Sequence, residues 1–218
     1  MRGWSRVAPR VHGVLERRYG SETADAIVAD ARIEFERVIP DIPYIGGKRN
    51  LYSMVMIANG WLAALYRAMK SHGQPAEDVA RVTAEVGDAF FRALPAWLLR
   101  LVGRLALSRP SRWLLRRQAE RSQARRYAED FVWELREEGR EVALVFEECA
   151  VNKFYDAHGL EELKPYCNEF DVIYSRLMGM GLDARETIGL GCASCRLRFQ
   201  HGRETVIPPR LEGVLPDA

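Results

Sequence analysis

Cysteine and aspartate carry the reactive chemistry that this sequence offers, and they gather in its C-terminal third. Cys149, Cys167, Cys192 and Cys195 are joined there by Asp171. The four histidines, at 12, 72, 158 and 201, are scattered and form no paired-histidine metal motif. No serine occupies a nucleophile elbow, and Gly46-Gly47-Lys48 lacks the glycine spacing of a phosphate-binding loop. Cys149 directly follows a strand-like segment and precedes a helix. Cys167 lies two residues beyond Pro165, in what reads as the first turn of another helix. Helix N-termini carry partial positive charge and unpaired N–H groups, which favour a thiolate. Glu147, Glu148 and Glu169 push the other way. Asp171, four residues after Cys167, would share its helix face and could act as a general base or orient a substrate amino group. Cys192 and Cys195 form Cys-Ala-Ser-Cys, a spacing that fits a redox dithiol or half of a zinc site, and Cys149, Cys167 and Asp171 could complete a mixed one. Each cysteine taken alone reads more readily as a small apolar filler.

The elements around these residues read as α+β: an N-terminal helical bundle packed with a small antiparallel sheet and two helices in the C-terminal third. Apolar spacing predicts helices over 4–19 and 22–38, with Ser21 or Thr23 as the cap between them. Pro40 and Pro43 break the chain. Leu51 to Lys70 is apolar nearly all round, as the buried centre of a bundle would be, and Ala76 to Leu94 follows. From Leu94 to Leu107 apolar residues recur at spacings of three and four, and Arg109 to Arg126 continues as a cationic helix. Phe131–Arg136 and Glu141–Phe146 form a hairpin turning at 137–140. Val151 to His158 is a short helix closed by Gly159, and a helix starting at Pro165 runs to about Met178. Strands at Ala184–Gly189 and Cys195–Gln200 and a loose tail from Pro208 complete the chain. The helical part is residues 1–128 and the α+β part 129–218, within one continuous structure.

The segment Leu163-Lys-Pro-Tyr-Cys167-Asn-Glu-Phe-Asp171, followed by Met180-Gly-Leu-Asp-Ala-Arg185-Glu-Thr187-Ile-Gly-Leu-Gly191 and Cys195-Arg-Leu-Arg-Phe199, resembles the signature region of the L-2-amino-thiazoline-4-carboxylic acid hydrolase family. Cys149 stands at the family's upstream cysteine, and Gly46-Gly47 resembles a glycine pair in its N-terminal half. The resemblance spans roughly residues 40 to 200. It departs at Cys195-Arg196-Leu197, where the family has Cys-Asp-Phe, and Cys192 is additional. What it implies is hydrolytic opening of 2-aminothiazoline-4-carboxylate to N-carbamoyl-cysteine by cysteine-dependent chemistry. Cys167, Asp171 and Cys195 would be catalytic, with Cys167 or Cys195 as nucleophile. Cys149, Arg185 and Thr187 would bind substrate, with Arg185 holding the substrate's carboxylate. No cofactor is required on this reading, although a cysteine-and-aspartate-bound metal such as zinc is an alternative. A ring-forming enzyme for a different heterocycle and a non-catalytic metabolite or redox binder are the competing classes.

Composition bounds the rest. Hydrophobic residues make up 48% and charged residues 28%, an ordinary globular balance, with a formal net charge of only +2. Charge alone therefore nominates no nucleic-acid partner, and the expected partner is a small-molecule substrate. Locally the picture is uneven: nine arginines face one acid between Arg100 and Arg126. That run matches no nucleic-acid recognition motif. The 94–126 stretch could lie on an anionic membrane surface, but the ordinary reading is a docked helix with solvated arginines. No export signal or spanning segment is read, so the expectation is a bacterial-type cytoplasmic protein with free thiols and an oligomeric state left open.

Overall fold

The computed structural model describes residues 4–216, and for 4–6 only the backbone. The Met1–Gly3 opening, part of the reading that no export signal is present, and the last two residues of the tail lie outside that range. Among the described residues the fold is α+β, eight α-helices and one four-stranded antiparallel sheet. No helix among them is long and apolar enough to cross a membrane.

The first two helices, α1 (Trp4–Tyr19) and α2 (Ser21–Val38), are separated by Gly20. Gly20 itself, at φ 83°, caps α2, so neither Ser21 nor Thr23 does: the left-handed backbone there suits glycine. Ala24, Ile27, Ala31 and Phe35 recur at three and four along α2 and are buried, facing α3 (Ser53–Ser71). The expectation that α3 is buried all round holds only for its second half. Met56, Gly60 and Ala63–Tyr66 are enclosed, whereas Met54 and Ile57 in its first turns, and Leu51 just before it, are exposed. Gly73 and Pro75 turn the chain into α4 (Ala76–Arg92), and Pro95 into α5 (Ala96–Ala106). Next comes α6 (Arg109–Ser122), which stops short of the anticipated Arg126.

Strands β1 (Val132–Glu138) and β2 (Glu141–Glu148) form the expected hairpin. The sheet order is β1-β2-β4-β3, with β3 at Leu182–Glu186 and β4 at Cys195–Phe199. Its register sets Trp133 opposite Phe146, and Phe146 opposite Cys195, so these three fall in one row across the sheet. Between the two hairpin-like pairs run α7 (Ala150–Ala157) and α8 (Glu169–Met178). The helix expected from Pro165 to Met178 is instead two pieces. Glu161–Tyr166 is a 3-10 turn containing Pro165, and α8 begins only after Cys167 and Asn168. The carboxyl-terminal segment is not loose: Leu211 and Val214 are buried, and Leu211 closes the same apolar cluster that begins at Val11.

Candidate active site

Three of the four cysteines converge where β2, β4 and the 3-10 turn meet. Cys149 occupies the N-cap of α7 with extended backbone (φ −115°, ψ 112°), beside the free first amides of the helix, and its side chain makes no capping hydrogen bond. The Cys195 thiol hydrogen-bonds to it, and this is the main reason its pKa falls, to about 7; burial opposes the shift, while the amides of Asn152 and Val151 and the Asn152 side chain add to it. Cys195 moves the opposite way, first because it donates that hydrogen bond and then because it is buried. The two titrate as a coupled pair, with Cys149 moved toward the thiolate and Cys195 toward the thiol. Cys195 Sγ also accepts a hydrogen bond from the Ile188 amide at 3.1 Å. Cys167 is pushed up by burial and by the negative charge of Cys149 and Asp171. Its sulfur lies against Gly189, where an added Cβ would stand 3.0 Å from Sγ and 2.2 Å from the Lys164 carbonyl oxygen. Cys149 and Cys167 are half-buried residues, whereas Cys195 is buried.

Asp171 lies close enough to Cys167 for its charge to act on the thiol, although Cys167 precedes α8 rather than sharing that helix with it. Burial raises its pKa to about 6 against the hydrogen bond it accepts from Tyr174 Oη at 2.9 Å. The acidic neighbours expected to oppose thiolate formation are neutralised. Glu148 is paired with Lys153 and Arg125, and Glu147 with Arg125. Burial lifts Glu169 to about 8, and it accepts a 2.5 Å hydrogen bond from Thr83.

Several residues in the cluster were not singled out from the sequence. Asn152, 3% exposed, has neither amide atom in a well-formed hydrogen bond, and its side chain faces the sulfurs of Cys149 and Cys167. An unsatisfied buried amide is costly in a folded core and marks a place where a ligand could be bound. Tyr155, buried on α7, donates to Asn59 Oδ1 at 2.5 Å, and Tyr52 packs on Phe131, Trp133 and Phe146 at centroid distances of 4.7, 5.6 and 5.7 Å. The Tyr52 hydroxyl is held protonated by burial and by the charges of Asp171 and Cys149. Asn152 could have been found from its position three residues after Cys149, and Tyr174 three after Asp171; Tyr52 has no local signal.

The other family-implied positions fare differently. Thr187 is buried beside Ile188, with its hydroxyl unpartnered. Arg185 faces outward and is held by both oxygens of Asp183, at 3.0 and 2.8 Å, which keeps it from the thiols. Arg196 alternates to the opposite sheet face from Cys195 and pairs with Glu186 at 3.6 Å, so exchanging the family's acid for a base there does not alter the thiol cluster. Cys192 is exposed and not bonded to Cys195. Among the described residues no group of three or more His, Cys, Asp and Glu side chains is arranged to hold a metal ion.

Beyond Tyr52 opens a groove of about 800 Å³ that is also lined by Asn50, Asp130 and Trp133. Lys48, Arg49, Arg121 and Arg126 give it four cations, none in an ion pair among the described residues. Asn50 fixes its wall, donating to Asp130 at 2.9 and 2.8 Å and to the Ile45 carbonyl at 2.7 Å. A smaller depression between α2 and α3 carries Asp30 and Glu34 against Arg37 and Arg67 and holds no thiol. Compared with family models, curated proteins and solved structures, the chain finds no match.

Proposed function

We propose that this protein is a hydrolase that opens a small cyclic amidine of the 2-aminothiazoline-4-carboxylate type, with Cys149 rather than Cys167 or Cys195 as the nucleophile. The single observation carrying the reading is the N-cap placement of Cys149, whose sulfur receives the Cys195 hydrogen bond while the other two thiols are pushed toward the protonated form. A thiolate at neutral pH is the prerequisite for attack on an amidine carbon. The thiolate adds to ring carbon C2 as a proton reaches ring nitrogen N3. The C2–S bond then breaks with its electron pair on the ring sulfur, which leaves as a thiol after protonation. Water adds to the resulting S-linked isothiourea and expels the Cys149 thiolate, so the sum is substrate plus water to N-carbamoyl-cysteine. Asp171, raised to about 6, is suited to carry the protons near neutrality. The Asn152 side-chain amide, buried beside the sulfurs and in no well-formed hydrogen bond, is available to the exocyclic nitrogen, and the cationic groove beside Tyr52 is the side from which an anionic substrate approaches.

The experiment is intact-mass spectrometry and product chromatography after incubation with 2-aminothiazoline-4-carboxylate. Formation of N-carbamoyl-cysteine, abolished by Cys149→Ser, supports the reading. Turnover that survives Cys149→Ser moves the nucleophile elsewhere, and no turnover and no adduct sinks the hydrolase reading. In that case a thiol-dependent metabolite or redox binder is favoured by the Cys149–Cys195 pair itself.

A further inference from the structure

Helix α5 is fastened to the rest of the molecule along a narrow seam. Leu99 and Gly103 are buried, and Gly103 passes so close to α8 that a Cβ there would stand 2.3 Å from the Met178 carbonyl oxygen. Leu98 and Ala106 are half-buried, and the larger part of the apolar surface points away. Trp97, Leu101 and Leu105, one helical turn apart in a single stripe, are 68%, 44% and 56% exposed, and Val102 beside them is 41% exposed. On α6, Trp113 and Leu114 are 54% and 57% exposed. The helix is docked with solvated arginines as expected, but through a narrow seam that leaves the apolar stripe in solvent as well. Exposed apolar surface on this scale marks a surface that something else covers.

The charges say what covers it. Of the nine arginines between 100 and 126, Arg112 and Arg116 pair with Glu137, and Arg125 with Glu147 and Glu148. Arg100, Arg104, Arg109 and Arg117 are exposed and have no acidic partner among the described residues. Arg100 and Arg104 flank the Trp97–Leu101–Leu105 stripe on the helix circumference, where their stems can lie along the apolar face and lift the guanidinium groups to a charged plane. A symmetric contact with a second copy would bring together two faces of the same net positive charge. An anionic bilayer supplies the opposite charge and an apolar layer beneath it. We propose that the α5–α6 face docks this protein on the surface of anionic phospholipid membranes, with Trp97, Leu101 and Leu105 inserted at headgroup depth and the unpaired arginines on the phosphates.

The test is sedimentation of the full-length protein with vesicles of phosphatidylcholine containing 30% phosphatidylglycerol, at 50 and 300 mM salt, alongside vesicles of phosphatidylcholine alone. Binding to the anionic vesicles, at least tenfold weaker in high salt and in the Arg100→Gln/Arg104→Gln variant, is the expected result. A Leu101→Glu/Leu105→Glu variant, altered only on the exposed stripe, should lose binding while keeping its far-ultraviolet circular dichroism. Equal binding to both vesicle types, or none to either, overturns the proposal. So does a concentration-dependent dimer in light scattering that Leu101→Glu/Leu105→Glu converts to monomer, because that result assigns the face to a second copy.

Discussion

The chemistry at the residue scale turns on which sulfur holds the proton. Helix-terminal amides, a donating thiol and a partly exposed position all favour the thiolate of Cys149, whereas Cys167 and Cys195 lack that combination. Alkylation by iodoacetamide should therefore select Cys149 among the clustered thiols, with half-maximal rate near pH 7, read by peptide mass spectrometry across a pH series. Cys195→Ala removes the main lowering influence and should shift that half-point toward the ordinary thiol value of about 8.5. Faster labelling of Cys167, or an unmoved half-point in Cys195→Ala, would contradict the assignment. Arg121 belongs to the groove rather than to the thiols. On the proposed function, Arg121→Gln is expected to raise KM for an anionic substrate severalfold with kcat nearly intact, the pattern of lost uniform binding. A fall in kcat with unchanged KM would place it in the reacting centre instead. The cysteines and Asp171 were visible in the sequence because their residue types are informative at any position. Tyr52 and Asn152 were not, since a tyrosine or asparagine acquires a role only through what tertiary packing brings against it.

Helix and strand boundaries set where those residues stand, and here glycine does much of the positioning. Gly103 lets α5 cross α8 with a backbone carbonyl in the space a side chain would need, and α8 carries Asp171. Gly103→Ala should cost about 1–3 kcal/mol in urea unfolding, because the obstacle is main chain and cannot rotate away. Gly87→Ala meets the ring of half-exposed Phe170 at 2.7 Å and should cost less, since that side chain can swing into solvent. Equal losses in the two variants would contradict this ordering. The helices α2, α4 and α6, the β1–β2 hairpin and the α+β class were legible because their periodicity and turn residues act locally. The break at Cys167-Asn168 was not: Pro165 is compatible with a helical first turn, and nothing local marks the 3-10 turn with its buried Leu163 that stands there instead. The outward stripe of α5 was also hidden, because periodicity defines an apolar face without saying what lies opposite it. Likewise, nothing local reveals that Leu211 in the tail finishes the core.

Across the whole molecule, buried polar links tie the helical part to the α+β part: Thr83 on α4 to Glu169 on α8, and Asn59 on α3 to Tyr155 on α7. The first of these makes the fold sensitive to pH. Burial raises the Glu169 carboxyl from the ordinary 4.5 to about 8, so the folded state holds a proton that the unfolded chain releases. Its contribution is fully present below about pH 4.5, declines as pH rises, and is gone once pH passes about 8. Asp171, raised from 3.8 to about 6, acts in the same direction over a lower window. The lowered Cys149 works the other way, adding stability as pH rises above its value of about 7. Glutamine keeps the shape of the protonated acid and cannot ionise, so Glu169→Gln isolates the term. Urea unfolding of the parent protein should lose on the order of a few kcal/mol between pH 5 and pH 8.5, and Glu169→Gln should lose markedly less over the same range. An identical decline in both proteins would mean that the α4–α8 contact tolerates a charged carboxylate, through water or a partner that reaches Glu169 Oε2, the buried oxygen left without a hydrogen bond.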